Sequence, residues 1–161
     1  LGEVELVRLV TDAVGDAYAA APDHEWEVVA PEPPLTVEGD GARLHQVVVN
    51  LLANAYRHTP EGTAVTVTLA GEGEHVVLVV ADDGPGIPAE LQPRLFERFA
   101  RGDSSRSRAT GSTGLGLAIV AAVVEAHGGT IEVASSPSDT RFTVRLPRHR
   151  AQHPREGDLA D

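Results

Sequence analysis

The chain has 161 residues, 42% of them hydrophobic, which is enough for one domain with a single sizeable core and too little for two. Its 24 acidic residues outnumber its 13 basic residues, and the formal net charge of -11 disfavours binding to nucleic acids or anionic membranes. Because cysteine is absent, disulfides and thiolate metal sites are excluded, and histidine and carboxylate groups remain as metal ligands.

The sequence contains no evident membrane-spanning or targeting segment. No stretch approaches the roughly 18 uninterrupted apolar residues of a spanning helix, and the opening LGEVELVRLV lacks the features of a signal peptide. The chain begins with Leu1 and contains no methionine, which is typical of a fragment excised from a longer protein. We therefore expect a soluble cytoplasmic domain whose parent protein carries the membrane anchor.

The first third of the chain predicts two helices and two short strands. Apolar residues at helical spacing predict a first helix from Glu3 to about Ala20, which Pro22 ends. The segments EWEVVA and PEPPLTVEG predict two short strands around a turn. Asp40 is a good N-cap for the second helix. The apolar face of that helix collects Leu44, Val47, Val48, Leu51, Leu52 and Ala55.

The rest of the chain predicts strand pairs separated by a loop and a third helix. TAVTVTLAG and HVVLVVAD predict an antiparallel hairpin, and TIEVASS and TRFTVRLP predict a second strand pair. Short helices are predicted within Glu90–Phe99, followed by a long flexible loop over Ala100–Thr113. A helix is predicted over Thr113–His127, and Gly128 and Gly129 close it.

These elements predict one folded domain followed by a tail. Strand pairs and three long helices are typical of an α+β two-layer α/β sandwich, here a mixed or antiparallel sheet covered on one face by three helices. The folded domain is predicted to span residues 1–147. Residues 148–161 have almost no apolar content and are predicted to be disordered.

The stretch TGSTGLGLAIV carries three glycines, Gly111, Gly114 and Gly116, directly at the start of an aliphatic helix. The first N–H groups of a helix have no internal partner and its dipole favours negative charge, so a phosphate group fits there. A flexible loop before an ordinary core helix gives the same pattern. The absence of lysine excludes a Walker P-loop.

The stretch ADDGPGIP ends the first predicted hairpin in two aspartates, Asp82 and Asp83. A carboxylate at a strand end accepts a hydrogen bond from an exocyclic amine such as that of adenine, and the flanking glycines let a ring approach the backbone. The alternative is a solvated Asp-Gly turn, and the pattern taken by itself favours that alternative.

The stretch NLLANAYRH places Asn50 and Asn54 on one face of the second helix, with Arg57 and His58 about a turn further on. Two carboxamides at the edge of an apolar stripe present oxygens to a hard ion such as Mg²⁺, which keeps most of its waters and takes other ligands from phosphates. Ordinary amides on a helix surface are the alternative.

In their order along the chain, these motifs resemble a known family. HQVVVNLLANAYRHTP is similar to the N box, DDGPGI to the first glycine box, LFERF to the phenylalanine box and GSTGLGLAIV to the second glycine box of the catalytic, ATP-binding domain of sensor histidine kinases. The resemblance runs from about Val4 to Pro147. It implies a Bergerat-type fold in the GHKL superfamily, which also includes gyrase, the ninety-kilodalton chaperone and the mismatch-repair ATPases.

The resemblance implies ATP and Mg²⁺ as cofactors and a role for each matching residue. Asp82 would bind the adenine amine. The wall beside the ring would be formed by Gly84, Gly86 and Ile87. Asn54 would hold the metal ion, and Asn50 would support the metal and the phosphates. By the same resemblance, Asn50 and Arg57 are the predicted catalytic residues.

The phosphates would lie against the second glycine box. The residues that this implies are Gly111, Ser112, Thr113, Gly114, Leu115, Gly116 and Leu117. Arg57 and His58 match the family's basic and aromatic pair, which contacts phosphate and base. The loop Ala100–Thr113 would be the ATP lid, ordered by nucleotide and Mg²⁺. Its positive charges come from Arg101, Arg106 and Arg108.

Two positions depart from the family's pattern. Ser112 replaces the second glycine of the second glycine box, and its hydroxyl would donate to a phosphate. Asp139-Thr140 stands where the family has Gly-Thr, and Thr140 is kept among the predicted ATP contacts.

The resemblance favours phosphoryl transfer over hydrolysis. Hydrolysing members of the superfamily place a glutamate, as the base for water, four residues before the metal-binding asparagine. Here that position is Asn50, which cannot take a proton. Transfer needs chiefly positioning and charge neutralisation, so an ATP-binding module can lack its acceptor.

The phosphate acceptor is expected on another domain. Sensor kinases phosphorylate a histidine in a His-Glu/Asp-x-x-x-Pro segment on a dimerising helical hairpin, whereas His24 and Glu25 lie in a segment that predicts strand and turn. We expect a monomer that does not phosphorylate itself. Its expected partners are the histidine-bearing dimerisation domain of the same kinase and a response regulator, and not nucleic acid.

Three other functions are compatible with parts of the pattern. A serine kinase of the anti-sigma type shares the nucleotide site, but LFERF and the arginine-bearing loop argue against it. A gyrase-type ATPase requires the missing glutamate. A vestigial nucleotide-binding module that serves interactions alone requires degraded motifs, and the four boxes are largely intact.

Overall fold

The computed structural model describes residues 2–96 and 113–148. Three α-helices lie in these ranges: α1 (Leu6–Ala20), α2 (Gly41–Arg57) and α3 (Thr113–Ala126). The strands are β1 (Gly2–Glu5), β2 (Glu25–Val29), β3 (Thr36–Gly39), β4 (Ala64–Glu72), β5 (His75–Asp82), β6 (Thr130–Ser136) and β7 (Asp139–Pro147). A 3-10 helix covers Ala89–Arg94.

The main sheet has five strands in the order β2-β4-β5-β7-β6. β2 pairs with β4 in parallel, and every other neighbouring pair is antiparallel. Both predicted hairpins, β4 with β5 and β6 with β7, are therefore confirmed. The register places Asp82 opposite Val65 on one side and opposite Thr140 on the other, and Thr140 is opposite Ser135.

The helices cover one face of this sheet, as the sequence predicts. Alternating residues of β4 and β7 are buried, and they join the apolar faces of the helices in a single core cluster. Leu51 of α2, Val65 of β4 and Val120 of α3 are completely enclosed in it. Because burying each such side chain contributes about 1.5 to 3 kcal/mol, the periodic apolar faces account for the two-layer arrangement.

The first predicted helix begins later than expected. Instead of starting at Glu3, the chain first forms β1, which pairs antiparallel with β3 in a separate two-stranded sheet. Glu5 then caps α1, because its carboxylate accepts hydrogen bonds from the Val7 and Arg8 N–H groups, each at 3.0 Å. The same carboxylate accepts from the Leu35 N–H at 2.9 Å. The start at Glu3 is wrong because backbone pairing with β3 outweighs local helical periodicity.

The Glu5 carboxyl has a shifted pKa for the same reason. Burial acts to raise the pKa, but the hydrogen bonds from Leu35, Arg8 and Val7 and the positive charge of Arg8 together lower it below its usual value. The ionised cap is therefore the stable form.

The two short strands predicted from EWEVVA and PEPPLTVEG are present but do not pair with each other. β2 lies at the edge of the main sheet beside β4, and β3 pairs with β1. Parallel pairing of β2 with β4 needs a long crossover connection, which α2 provides. The turn between the two segments therefore connects the five-stranded sheet, which contains β2, to the two-stranded sheet, which contains β3.

The ends of α2 and α3 meet through His127. The Asp40 carboxylate accepts from the Arg43 N–H at 3.2 Å, which confirms Asp40 as the N-cap of α2. His127 Nε2 accepts from the Asp40 N–H at 3.0 Å, and its Nδ1 donates to the Val123 carbonyl oxygen at 2.8 Å. Gly128, with a φ of 79°, then ends α3 as predicted.

The segment predicted as short helices within Glu90–Phe99 contains the 3-10 helix, and its part beyond Phe96 lies outside the described residues. Most of the predicted loop Ala100–Thr113 and all but Arg148 of the predicted tail also lie outside them. Within the ranges that are described, no helix combines the length and apolar character needed to cross a membrane.

Candidate functional site

Asp82 ends β5 on the side of the sheet that faces the helices. It is 8% exposed, and its Oδ1 accepts a hydrogen bond from the Gly84 N–H at 2.9 Å. Burial raises the pKa of the Asp82 carboxyl above its usual value, and the hydrogen bond from the Gly84 N–H acts to lower it. The charges of Asp83 and Asp139 raise this pKa further, whereas an electrostatic interaction with His24 lowers it. A buried carboxyl with this balance is typical of a binding site.

The neighbouring Asp83 points elsewhere. It is exposed, its Oδ1 accepts from the Ala64 N–H at 2.9 Å, and its own N–H donates to the Ala64 carbonyl oxygen at 3.2 Å. Asp83 therefore extends the pairing of β4 and β5, and Asp82 alone of the two faces the helix layer. The period of two in a strand separates the adjacent carboxylates onto different sides.

The two glycines that follow Asp82 lie where a side chain does not fit. A Cβ at Gly84 would be 2.5 Å from Thr59 Cγ2. Gly86 has a φ of 94°, and a Cβ there would be 2.7 Å from the Ser136 carbonyl oxygen. The backbone of the first glycine box therefore passes closely between the end of the N box and the β6–β7 turn.

Ile87, the next residue of the predicted wall, is held by two side chains that the sequence analysis did not single out. Its N–H donates to Ser135 Oγ at 2.8 Å, and its carbonyl oxygen accepts from Gln92 Nε2 at 3.0 Å. Ser135 Oγ lies 2.7 Å from Thr140 Oγ1. Thr140 is 3% exposed and lies opposite Asp82 in the register, so the structure brings it together with Asp82 and Ile87.

One of these missed residues carries a sequence signal. Ser135 follows Ile131 and Val133 at a period of two in β6, which places its hydroxyl on the same side of the strand as these apolar residues. Thr59 lies within the N box, directly after His58 and before the final Pro60, but its residue type indicates no role. No local pattern identifies Gln92.

The N box faces the start of α3. Asn50 and Asn54 are both half-buried on α2, and Asn50 Nδ2 donates to the Gly116 carbonyl oxygen at 3.4 Å. A Cβ at Gly116 would approach Asn50 Nδ2 only to 3.9 Å, so space remains between the two helices at this point. The structure thus brings Asn50 together with the second glycine box.

Arg57 and His58 lie at the C-terminal end of α2 and are exposed. Partial burial of the His58 ring lowers its pKa, and the positive charge of Arg57 lowers it further. The neutral imidazole is therefore favoured.

The second glycine box opens α3. Thr113, Gly114 and Leu115 form the first turn of the helix. Leu117 is 1% exposed, so its side chain belongs to the core and its backbone alone is left for ligand contact. Three predicted ATP contacts lie outside the described residues: Arg101, Gly111 and Ser112.

The phenylalanine box begins next to the core. Leu95 and Phe96 pack against the core cluster, and the Phe96 ring meets Phe142 edge to face with ring centroids 6.1 Å apart. This contact anchors the chain at Phe96, the last described residue before the predicted lid.

No group of three or more histidine, aspartate or glutamate side chains within residues 2–96 and 113–148 is arranged to hold a metal ion. Asn50 and Asn54 carry amide oxygens on α2, and the Asn50 side chain contacts Gly116 of the second glycine box. This donor set suits Mg²⁺, which takes few protein ligands and completes its shell with water and phosphate oxygens.

Comparison with known proteins assigns this arrangement to a class. Residues 39–150 match the family model of histidine kinase-, DNA gyrase B- and HSP90-like ATPases. The chain therefore belongs to this family.

Individual relatives point to the same branch of the family. The probable sensor histidine kinase TcrY of Mycobacterium tuberculosis is 63% identical over 146 residues, which cover 91% of this chain and 31% of the relative. The solved mycobacterial sensor histidine kinase MprB has a TM-score of 0.77 at 36% identity, covering 91% of this chain and 98% of that one. The ATP-binding domain of PrrB from Mycobacterium tuberculosis has a TM-score of 0.72 at 31% identity, with 91% and 96% covered.

These relatives confirm the predicted fold and show that the homologues of this chain are sensor histidine kinases. The chain spans only about a third of the length of the full-length curated relatives that it matches.

Proposed function

We propose that this chain binds Mg-ATP and donates the γ-phosphoryl group to a histidine on a separate dimerisation domain, in two-component signal transduction. The observation that carries the proposal is the buried carboxyl of Asp82, which lies opposite Thr140 in the sheet register and is followed by two glycines, Gly84 and Gly86, at positions where a side chain does not fit. A planar ring with an exocyclic amine suits such a site.

In this proposal, the adenine amine donates to Asp82, and the ring lies against Gly84, Gly86 and Ile87. Thr140 offers its hydroxyl beside Asp82. The carboxylate keeps one oxygen for the Gly84 N–H and one for the ligand. Guanine presents a carbonyl oxygen where adenine has the amine, so it would leave the buried carboxylate without a donor.

The triphosphate lies between α2 and the first turn of α3. Asn54 holds the magnesium ion, which neutralises phosphate charge when it is bound. Asn50, Arg57 and His58 approach the phosphates from the N box, and the N–H groups at the start of α3 receive them. The family resemblance adds Arg101, Gly111 and Ser112 as predicted ATP contacts, and they lie outside the described residues.

The reaction is transfer to a supplied nucleophile. A histidine nitrogen of the dimerisation domain attacks the γ-phosphorus, the bond from phosphorus to the bridging oxygen breaks, and ADP leaves. Asn50 holds its amide against Gly116 and cannot take a proton from water. Catalysis by this chain consists of positioning the triphosphate and neutralising its charge.

The parent protein completes the pathway in this proposal. It is anchored in a membrane with this domain on the cytoplasmic side, and the phosphohistidine passes its phosphoryl group to a response regulator. The names of the relatives as sensor histidine kinases support this arrangement.

The test is calorimetric titration of the chain with Mg-ATP, beside Asp82→Ala and the matched variant Asp83→Ala, with phosphate release recorded in the same samples. We expect the wild type and Asp83→Ala to bind, Asp82→Ala to lose binding, and turnover to be negligible until a histidine-bearing dimerisation domain is added. Absence of binding by the wild type contradicts the proposal. Steady turnover without an acceptor indicates an ATPase, and phosphorylation of a serine acceptor alone indicates a serine kinase.

A further inference from the structure

A buried histidine lies behind the adenine site, outside the four sequence motifs. His24 immediately precedes β2 and is 8% exposed. Its ring lies near Trp26, with ring centroids 6.2 Å apart. The proposed reaction does not use this side chain, and burial at the start of a strand does not suit a phosphate acceptor.

The hydrogen bonds of His24 define which of its nitrogens carries a proton. Nε2 is 2.8 Å from Thr59 Oγ1, and that hydroxyl donates its only hydrogen to the Ala55 carbonyl oxygen at 2.6 Å. Thr59 therefore acts as the acceptor toward the ring, and His24 Nε2–H is the donor. His24 thus reaches the end of the N box across 35 residues of sequence.

Thr59 in turn supports the turn that carries Asp82. Its methyl group is so close to Gly84 that a Cβ there would approach Thr59 Cγ2 to 2.5 Å. The Gly84 N–H then donates to Asp82 Oδ1 at 2.9 Å. A continuous line of contacts runs from His24 through Thr59 and Gly84 to the carboxylate.

The His24 ring lowers the stability of the fold at this position. Its Nδ1 is buried and has no hydrogen-bond partner among the described residues. An apolar side chain in the same place would avoid that loss, and the hydrogen bond of Nε2 is what the ring provides in return. An electrostatic interaction with His24 also acts to lower the pKa of the Asp82 carboxyl, which burial and the charges of Asp83 and Asp139 raise.

We propose that His24 is a positioning residue for adenine recognition: by donating to Thr59, it holds the Asp82–Gly84 turn in the conformation that receives the exocyclic amine. This role rests on the proposed function. His24 acts through Thr59 and does not touch the nucleotide.

The experiment measures the dissociation constant of Mg-ADP by calorimetry for the wild type, His24→Leu and His24→Gln. Leucine removes the donor, whereas the amide nitrogen of glutamine replaces Nε2–H. We expect the dissociation constant of Mg-ADP to rise about tenfold or more in His24→Leu, which is on the order of the effect of losing one hydrogen bond. In His24→Gln the dissociation constant should remain within about threefold of the wild-type value. The matched pair His75→Leu and His75→Gln, at the exposed opposite end of β5, is expected to bind like the wild type.

Thermal melting of each variant separates positioning from folding. A weakened His24→Leu that melts at or above the wild-type temperature supports the role, as does rescue by glutamine. Should His24→Leu fail to fold, Thr59→Val removes the acceptor hydroxyl while keeping the shape of the side chain. We expect this variant to weaken ADP binding to a similar extent.

Each contrary result has its own meaning. If the wild type binds Mg-ADP and His24→Leu binds it with the same affinity, the role of His24 is overturned. The same holds if His24→Gln binds Mg-ADP as weakly as His24→Leu does. Both results leave the proposed function standing. Failure of the wild type itself to bind Mg-ADP overturns the proposed function and this role together.

Discussion

At the scale of single residues, the site is built from side chains that stability alone would not select. Burial raises the pKa of the Asp82 carboxyl, so its ionised form costs folding free energy. His24 keeps an unpaired ring nitrogen in the interior, and Gly86 adopts a backbone conformation that other residues rarely take. Local departures of this kind concentrate where a ligand binds.

Replacing Asp82 with asparagine is expected to stabilise the free protein and to abolish nucleotide binding. Asparagine keeps an oxygen for the Gly84 N–H and removes the buried charge, but its NH₂ group would face the adenine amine, donor against donor. Asp83→Asn is the control, since Asp83 is exposed. Thermal melting and calorimetry test both effects, with a shift of about 2 to 4 °C for each kcal/mol gained. A less stable variant that still binds ADP contradicts this account of Asp82.

The two glycine boxes respond differently to alanine. In α3, Gly116→Ala has room for its Cβ, 3.9 Å from Asn50 Nδ2, and gains about 1 kcal/mol of helix propensity. We expect a protein of equal or greater stability that binds Mg-ATP more weakly, because the methyl group intrudes between α3 and the N box. Gly86→Ala combines a φ of 94° with a contact to Ser136 at 2.7 Å. It is expected to lose more than about 1 kcal/mol of stability.

Urea unfolding and nucleotide titration of both variants check this contrast. Mg-ATP binding by Gly116→Ala with wild-type affinity shows that the phosphates do not approach this turn of α3. If Gly86→Ala is as stable as the wild type, the β6–β7 turn moves to accommodate the added methyl group.

At the scale of elements, the helices are tied at their ends by residues from other segments. Glu5 caps α1 and also holds the Leu35 N–H, so one carboxylate joins α1, β1 and the segment before β3. His127 near the end of α3 accepts from Asp40, the cap of α2. These ties orient the helices that carry the N box and the second glycine box.

Stability is expected to depend on the ionisation of Glu5. The folded state lowers the pKa of Glu5, so below the ordinary value of 4.5 the unfolded chain binds the proton more readily. The contribution of the cap is therefore fully present above 4.5 and is lost as the pH falls through the lower folded value. Glu5→Gln should cost about 1 to 2 kcal/mol at neutral pH, and the difference from the wild type should narrow in acid.

Urea unfolding at several pH values measures this difference. Glu61→Gln, at an exposed loop position, is the control and should change stability little at any pH. A constant difference between wild type and Glu5→Gln across the acid range would contradict the assignment of the cap as an ionised carboxylate.

At the scale of the whole molecule, the β2 edge of the main sheet and the surface charge disfavour self-association. The edge strand β2 has only five residues and exposes Glu25 and Glu27, and charged side chains protect an edge from further pairing. The net charge of -11 adds repulsion between copies. Among the described residues, the large apolar side chains that are exposed are Tyr18, Val29, Val49 and Leu91, on four different elements.

We therefore predict that this chain alone is a monomer. Sedimentation velocity at increasing protein concentration should give one species with the mass of a single chain, at low and at moderate salt. A dimer that forms with concentration and persists in salt contradicts the prediction. Association that appears only when a dimerisation domain is supplied agrees with it.

Periodic segments account for most of what the sequence predicted. The apolar face of α2 and the runs of β4 and β5 each carry enough local pattern to define one element, and their burial follows from that pattern. The helical spacing of apolar residues gave a wrong prediction at Glu3–Glu5, because it continues into residues that form a strand. It also did not indicate that β2 and β3 join different sheets, because strand partners are chosen by tertiary packing.

The sequence by itself determined the elements, the motifs and the family resemblance, because helical and strand periodicity, turn residues and motif spacing are local properties. Only the tertiary structure decided which polar atoms meet. Asn50 and Gly116 are 66 residues apart, Ile87 and Ser135 are 48 apart, and His24 and Thr59 are 35 apart. Such pairs depend on strand register and helix packing, which arise from burial of the whole core, and no pattern within either partner's own segment identifies the other partner.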